Sequence, residues 1–120
     1  MAFTVDQFSE VDVVRLPRRV MMADAPSIRN EVRTMVESGR KNIVLDLSDV
    51  AFIDSSGLSV LISAREATRA VGGDVLLLKP TSIVRSLIEL TRLQEVFEIF
   101  GSEEHAVQRL AATNVAMAVY

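Results

Sequence analysis

The chain has 120 residues, of which 49% are hydrophobic and 24% are charged, and this length and composition predict one globular domain over residues 1–120. Its formal net charge is −3. It contains no cysteine and a single histidine, which excludes disulfides, thiol catalysis, thiolate metal sites and a His-rich metal cluster. Aromatic residues make up 5% of the chain, Trp is absent and the basic residues are scattered, so the composition argues against a nucleic-acid partner.

The first part of the chain predicts an antiparallel hairpin, a helix and a buried strand. Two β-rich segments flank Ser9-Glu10, which is the expected turn, and residues 20–22 add a short extended stretch. Asp24 is the expected N-cap of a helix that ends near Gly39, because apolar residues recur at helical spacing between them. The predicted elements are strands at 3–9 and 11–16, a helix at 24–39 and a central strand at 42–47.

The second part alternates helices and strands. A helix from about residue 58 to 71 precedes Gly72-Gly73, and a second buried strand at 74–79 follows. Thr81 caps the next helix, residues 96–100 form a strand, and Ser102 opens a final helix. The order predicts an α/β fold with a mixed sheet of about five strands, an N-terminal antiparallel hairpin, then parallel βα units, and about four helices. Residues 113–120 either extend the last helix or form a loosely attached tail.

The motif Asp54-Ser55-Ser56-Gly57 stands at a strand-to-helix junction. In largely parallel sheets, functional crevices lie outside the carboxyl ends of the strands. A helix N-terminus favours an anion, so a phosphate on Ser55, with a charge of about −1.5 to −2, would be stabilised there. Ordinary helix capping accounts for the same residue types. However, the capping box is missing, and three polar side chains stand where one suffices, which leaves a functional site as the alternative.

The helix after this motif has an apolar face and a mixed face. The face expected to contact the sheet consists of Val60, Leu61, Ala64, Ala67 and Val71. The residues expected outside or at the boundary are Leu58, Ser59, Ile62, Arg65, Glu66 and Arg69. Ile62 is then either an ordinary boundary residue or an apolar anchor for a partner, with Arg65 and Arg69 supplying specificity.

Residues 42–58, NIVLDLSDVAFIDSSGL, resemble the signature segment of anti-sigma-factor antagonists, which have the STAS fold. The resemblance continues through residues 72–78, 84–93 and 96–100. It implies a non-enzymatic, cytoplasmic protein of a partner-switching pathway. In that family an anti-sigma factor, itself a serine kinase of the histidine-kinase-like ATPase fold, phosphorylates the first hydroxyl residue after the Asp, here Ser55. The unphosphorylated form binds the kinase and frees the sigma factor or another client, and a PP2C-type phosphatase restores it.

The resemblance also implies a partner-binding surface around the phosphorylation site. Its expected members are Asp54, Ser56, Gly57, Leu58, Ser59, Ile62, Arg65, Arg69 and Met21. One segment departs from the family pattern, because residues 17–22 read PRRVMM where relatives usually carry a Gly-Glu/Asp-Leu/Ile-Asp-like stretch. Met21 stands near the expected acidic residue, so the identity of the partner kinase stays open.

Two other classes of protein compete with this hypothesis. A STAS scaffold or ligand-binding subunit of a lipid-transport or stressosome-like complex would use Ser55 only as an N-cap and dock a permanent partner on Leu58 and Ile62. An enzyme is disfavoured, because serine activation needs a base and His105 lies in a predicted surface helix.

Metal and membrane functions are not expected either. Asp46, Asp49 and Asp54 read as polar residues at strand ends rather than as a magnesium site, and nothing indicates a cofactor. No apolar run approaches about 18 residues, and the N-terminus does not resemble a signal peptide, so a cytoplasmic protein with no membrane partner is expected.

Overall fold

A computed structural model describes residues 3–119, and side chains over residues 3–112. Over these residues the strands are β1 (Thr4–Phe8), β2 (Val11–Arg15), β3 (Arg19–Val20), β4 (Asn42–Asp46), β5 (Phe52–Ile53), β6 (Asp74–Leu78) and β7 (Ile99–Phe100). The helices are α1 (Ala25–Glu37), α2 (Ser55–Arg69), α3 (Ser82–Leu90) and α4 (Glu103–Val119). The described backbone of α4 runs to Val119, whereas the loose attachment predicted for residues 113–120 stays a prediction.

The main sheet has five strands in the order β1-β2-β4-β6-β7. The hairpin of β1 and β2 is antiparallel, with Thr4 opposite Arg15. The neighbouring pairs β2–β4, β4–β6 and β6–β7 are all parallel, as crossover helices between successive strands require. The mixed five-stranded sheet with four helices confirms the predicted fold class.

Alternation along the central strands gives the sheet two apolar faces. One face packs against α1, α2 and α3, and its core includes Ile43, Leu45 and Leu77. The opposite face, with Val44 and Leu76, packs against α4. Both faces are therefore covered, which explains why β4 and β6 read as continuous apolar runs. The helix that begins at Ser55 and the helix that carries His105 lie on opposite sides of the sheet.

Two boundaries and one helix cap differ from the sequence-based expectations. Helix α2 begins at Ser55 rather than near Leu58, because Asp54 is extended and acts as its N-cap. The last strand is only Ile99–Phe100, because a 3₁₀ turn at Leu93–Glu95 precedes it. Asp24 does occupy the N-cap position of α1, but its side chain does not cap the helix. It instead accepts hydrogen bonds from the Arg19 side chain and the Met21 N–H.

A second, two-stranded sheet was not predicted. Strands β3 and β5 pair in parallel, with Arg19 opposite Phe52 and Val20 opposite Ile53. Each strand has two residues, too few for a period-2 pattern to appear in the sequence. This pairing brings the segment after the hairpin beside the residues that lead into α2.

Arg15 ties the hairpin to the rest of the fold. Its guanidinium donates to Asp46 at 2.9 Å and to Glu103 of α4 at 2.7 Å, and it also pairs with Asp6. Burial alone would raise the pKa of Asp46, but hydrogen bonds from Ser48 and Arg15 together leave that pKa below its ordinary value. Asp46 is thus a buried carboxylate that the fold keeps ionised, and not an open ligand for a metal.

Candidate functional site

The carboxylate of Asp54 connects two segments at the start of α2. One oxygen accepts a hydrogen bond from the Gly57 N–H at 3.1 Å, which caps the helix. The other accepts from the Met22 N–H at 3.0 Å, in the segment that follows β3. Asp54 therefore joins the first turn of α2 to the segment that follows β3. Its predicted contact with a partner stays a prediction.

Ser55 is the first residue of α2, and its side chain is exposed. It lines a groove of about 480 Å³ between the first turns of α1 and α2, which we call the α1–α2 groove. The residues that line it are Met22, Ala25, Pro26, Arg29, Ser55, Ser56 and Ser59. Ser56 is half-buried, whereas Ser59, one turn further along, is exposed. The Ser55 hydroxyl is thus open to solvent and accessible to a modifying enzyme.

Gly57 lets the first turn of α2 approach the small sheet closely. A Cβ at this position would overlap the Val20 carbonyl oxygen, and it would lie 2.6 Å from Cγ1 of Ile53. The glycine therefore serves close packing here, and its backbone helps to hold Ser55 at the surface. Gly57 has no side chain, and its backbone is buried, so a direct contact of Gly57 with a partner is not supported.

Two residues of the α2 region do not lie where the sequence predicted. Leu58, expected outside or at the boundary, is 6% exposed and packs in the core, because the buried face widens in the first turn of α2. Val71, expected against the sheet, is 48% exposed, since α2 ends at Arg69 and the chain turns away. The Leu58 side chain is therefore unavailable as the docking contact that the prediction assigned to it.

The remaining predicted surface residues differ in exposure. Ile62 is 37% exposed and Arg65 is half-buried. Arg69 is exposed, and its guanidinium lies 3.6 Å from the Asp74 carboxylate at the far end of α2. Met21 is half-buried. The structure thus leaves Ile62 as an apolar residue on the outer face, as the sequence suggested.

Three residues that line the groove or are exposed before the motif were not predicted from the sequence. Met22, rather than Met21, presents its side chain, which is 71% exposed and lines the α1–α2 groove. Phe52 is 52% exposed, and the Arg18 guanidinium lies 5.6 Å from its ring centre. Arg29 lines the groove from α1. The β3–β5 pairing brings the segment with Met22 beside the segment with Phe52 and Asp54, and no sequence signal predicted it.

The acidic residues, His105 and the helices of the described part of the chain bear on metal, catalytic and membrane functions. No group of three or more His, Asp or Glu side chains there is arranged to hold a metal ion. His105 is exposed on α4, across the sheet from Ser55. Within the same residues, no helix combines the length and apolar character needed to cross a bilayer.

Comparison with known proteins gives consistent matches. Residues 2–106 match the family model of the STAS domain. BtrV of Bordetella bronchiseptica, named as a candidate anti-sigma factor antagonist, is 28% identical over 106 residues, which are 88% of this chain and 91% of that protein. The anti-sigma-B factor antagonist of Bacillus subtilis is 25% identical over 95 residues, 79% of this chain and 86% of that protein.

Solved structures agree with these sequence matches. The anti-sigma factor antagonist SpoIIAA in its unphosphorylated form superimposes with a TM-score of 0.80 at 25% identity, over 92% of this chain and 97% of that one. SpoIIAA of Bacillus in its phosphorylated form gives a TM-score of 0.71 at 25% identity, over 90% and 98%.

Proposed function

Since this chain belongs to the STAS domain family, we propose that it is an anti-sigma-factor antagonist controlled by phosphorylation of Ser55. The unphosphorylated form binds an anti-sigma factor that is a serine kinase of the histidine-kinase-like ATPase fold, and so releases a sigma factor or another client. Phosphorylation of Ser55 ends that binding, and a PP2C-type phosphatase reverses it. The protein acts by binding and not by catalysis.

The observation that carries this proposal is the exposure of Ser55 at the first residue of α2, on the wall of an open groove. A buried hydroxyl would have no contact with a kinase. Asp54 holds the backbone next to Ser55 through two hydrogen bonds, so the hydroxyl is presented on a fixed element rather than on a loose loop. A fixed presentation suits both a kinase active site and a docking surface.

The proposed docking surface consists of Met22, Phe52, Ile62 and the α1–α2 groove. Each of the three apolar side chains is at least 37% exposed. Met22 lines the groove with Ser55, Phe52 lies on β5 just before the motif, and Ile62 lies on α2 after it. Exposed apolar residues beside polar ones are typical of protein interaction sites. Arg18, stacked near Phe52, and Arg65 add positive charge, which favours a partner that offers apolar and acidic side chains.

A phosphate in this surface is sufficient to control binding. It adds about −1.5 to −2 charges, and an unfavourable charge placed in an interface costs several kcal/mol. A hundredfold loss of affinity needs only about 2.7 kcal/mol. The modification can therefore act without refolding the domain. SpoIIAA, a protein similar to this chain, has been solved in both a phosphorylated and an unphosphorylated form, which is consistent with phosphorylation of this fold.

The test combines a modification assay with a binding assay. The chain is incubated with ATP and the cognate kinase, and the modified residue is located by mass spectrometry. Affinity for the kinase is then measured for wild type, Ser55→Ala and Ser55→Asp. Ser86→Asp serves as the matched control, since Ser86 is exposed on α3 and lies outside the groove. We expect Ser55→Ala and Ser86→Asp to bind like wild type, and Ser55→Asp to bind at least about tenfold more weakly.

Two results would contradict the proposal. One is equal binding by Ser55→Ala and Ser55→Asp. The other is tight binding with no phosphate on Ser55, which would instead favour the STAS scaffold that holds a permanent partner.

A further inference from the structure

We propose that Arg29 is the intramolecular counter-charge of phosphorylated Ser55, and that the pair bridges the α1–α2 groove. This inference rests on the proposed function, because it concerns the same serine. It assigns to α1 a part in the switch that the sequence did not suggest.

The position of Arg29 is the first argument. Arg29 is the fifth residue of α1 and shares the α1–α2 groove with Ser55 and Ser59. Among the described residues that line this groove, Arg29 alone has a charged side chain. A guanidinium binds a phosphate through two parallel hydrogen bonds, and the long arginine side chain can follow the phosphate across a groove.

The second argument is that Arg29 is not engaged elsewhere. Within the described part of the chain its guanidinium makes no hydrogen bond or ion pair, although the residue is half-buried. Arg15 and Arg40 are, by contrast, held by carboxylates, and Arg33 donates to the Asn30 side chain one turn further along α1. Pairing with a phosphate therefore breaks no existing contact of Arg29.

The third argument is the need for a cation at this place. The Asp54 carboxylate adjoins Ser55 and already occupies the Gly57 N–H, so the helix end has less to offer a new anion. A phosphate on Ser55 adds a second negative group beside that carboxylate. Arg29 is the charged side chain in the groove that offsets it.

The pairing gives the switch a second component besides charge. A phosphate held between Ser55 and Arg29 joins the N-terminal parts of α1 and α2 and occupies part of the space between them. A partner that inserts a side chain into the groove then meets a bridged and narrower opening. The modified protein is thus excluded from the complex by shape as well as by repulsion.

The test uses the full chain with phosphoserine inserted at position 55 during translation, so no kinase is needed. The phosphate is titrated by 31P NMR in wild type, Arg29→Gln and Arg29→Lys, with Arg33→Gln as the matched control. A free phosphoserine has a second pKa of about 6, and a neighbouring cation lowers it. We expect the pKa in wild type and Arg33→Gln to be about one unit below that in Arg29→Gln, with Arg29→Lys between them.

Identical titrations in wild type, Arg29→Gln and Arg29→Lys would overturn the pairing. Thermal unfolding supplies an independent readout, because insertion of the phosphate should change the Tm of wild type more favourably than that of Arg29→Gln. Since the phosphate is installed without a kinase, failure of this test leaves the proposed kinase binding intact. Conversely, a shifted titration together with a kinase that never modifies Ser55 would refute the proposed function and not the pairing.

Discussion

Replacing Asp54 by alanine should destabilise the domain and loosen the docking surface together. The substitution removes both acceptor oxygens, so the Gly57 N–H loses its cap and the Met22 N–H loses its partner. These two bonds link the first turn of α2 to the segment after β3. The perturbation therefore tests whether one carboxylate fixes the geometry around Ser55.

The expected magnitude follows from the two bonds. Loss of an N-cap costs about 1 kcal/mol. The bond from Met22 contributes about 1 kcal/mol as well, below the usual range for a charged acceptor, because Met22 is exposed to solvent. The sum of about 2 kcal/mol should lower the Tm by about 8 °C, at about 4 °C per kcal/mol for a chain of this length.

Asp54→Asn separates the two contributions. Asparagine is as good an N-cap as aspartate, but it has a single carbonyl oxygen, and its NH₂ group cannot accept from the Met22 N–H. We expect Asp54→Asn to lose about half as much stability as Asp54→Ala, measured by thermal and urea unfolding. Amide hydrogen exchange should show loss of protection at Met22 in both variants and at Gly57 only in Asp54→Ala.

Two outcomes would refute this reasoning. If Asp54→Asn is as stable as wild type, the bond to Met22 contributes nothing and the two segments are not joined by the carboxylate. If Asp54→Asn and Asp54→Ala are equally destabilised, the N-cap contributes nothing to α2.

Two further predictions concern packing and acid stability. Gly57→Ala should destabilise the fold by about 1–3 kcal/mol in urea unfolding, because the overlap of the added Cβ with the Val20 carbonyl outweighs the gain in helix propensity. Gly101→Ala, with open space around its Cβ, should change the free energy of unfolding by less than about 0.5 kcal/mol. Equal effects of the two substitutions would contradict the packing argument. Because the pKa of Asp46 is lowered in the fold, its carboxylate stabilises the protein above about pH 4, and that contribution is lost as the pH falls through the folded pKa. Wild type should therefore have a higher free energy of unfolding than Asp46→Asn at neutral pH, and this difference should shrink as the pH falls. Unfolding measured at a series of pH values checks this, and a difference that stays constant would contradict it.

The sequence predicted the fold well where apolar periodicity extends over several residues. Strands β4 and β6 and helix α1 show either continuous apolar runs or helical spacing, and each lies within two residues of its predicted bounds. The pairing of β3 with β5 left no such pattern, because two residues do not define a period. Yet that pairing decides that Met22, and not Met21, faces the groove.

The candidate site was predicted in part. The junction with Ser55 could be located because parallel strands bring their carboxyl ends to one edge of the sheet. The exposure of individual α2 residues could not be read as reliably, as Leu58 shows, because burial in the first turn depends on how closely Gly57 approaches the small sheet. The place of Arg29 in the groove depends on packing between two helices distant in sequence, for which a single chain gives no signal.

The covering of the sheet on both sides has a practical consequence. Helix α4 covers the face of the main sheet opposite Ser55, so the whole sheet lies between the proposed docking surface and α4. Gln108 is exposed on α4, and the sequence contains no cysteine. A fluorophore attached through Gln108→Cys would therefore be the single label on the chain. It would monitor complex formation from the opposite face of the sheet, without contacting the proposed docking surface.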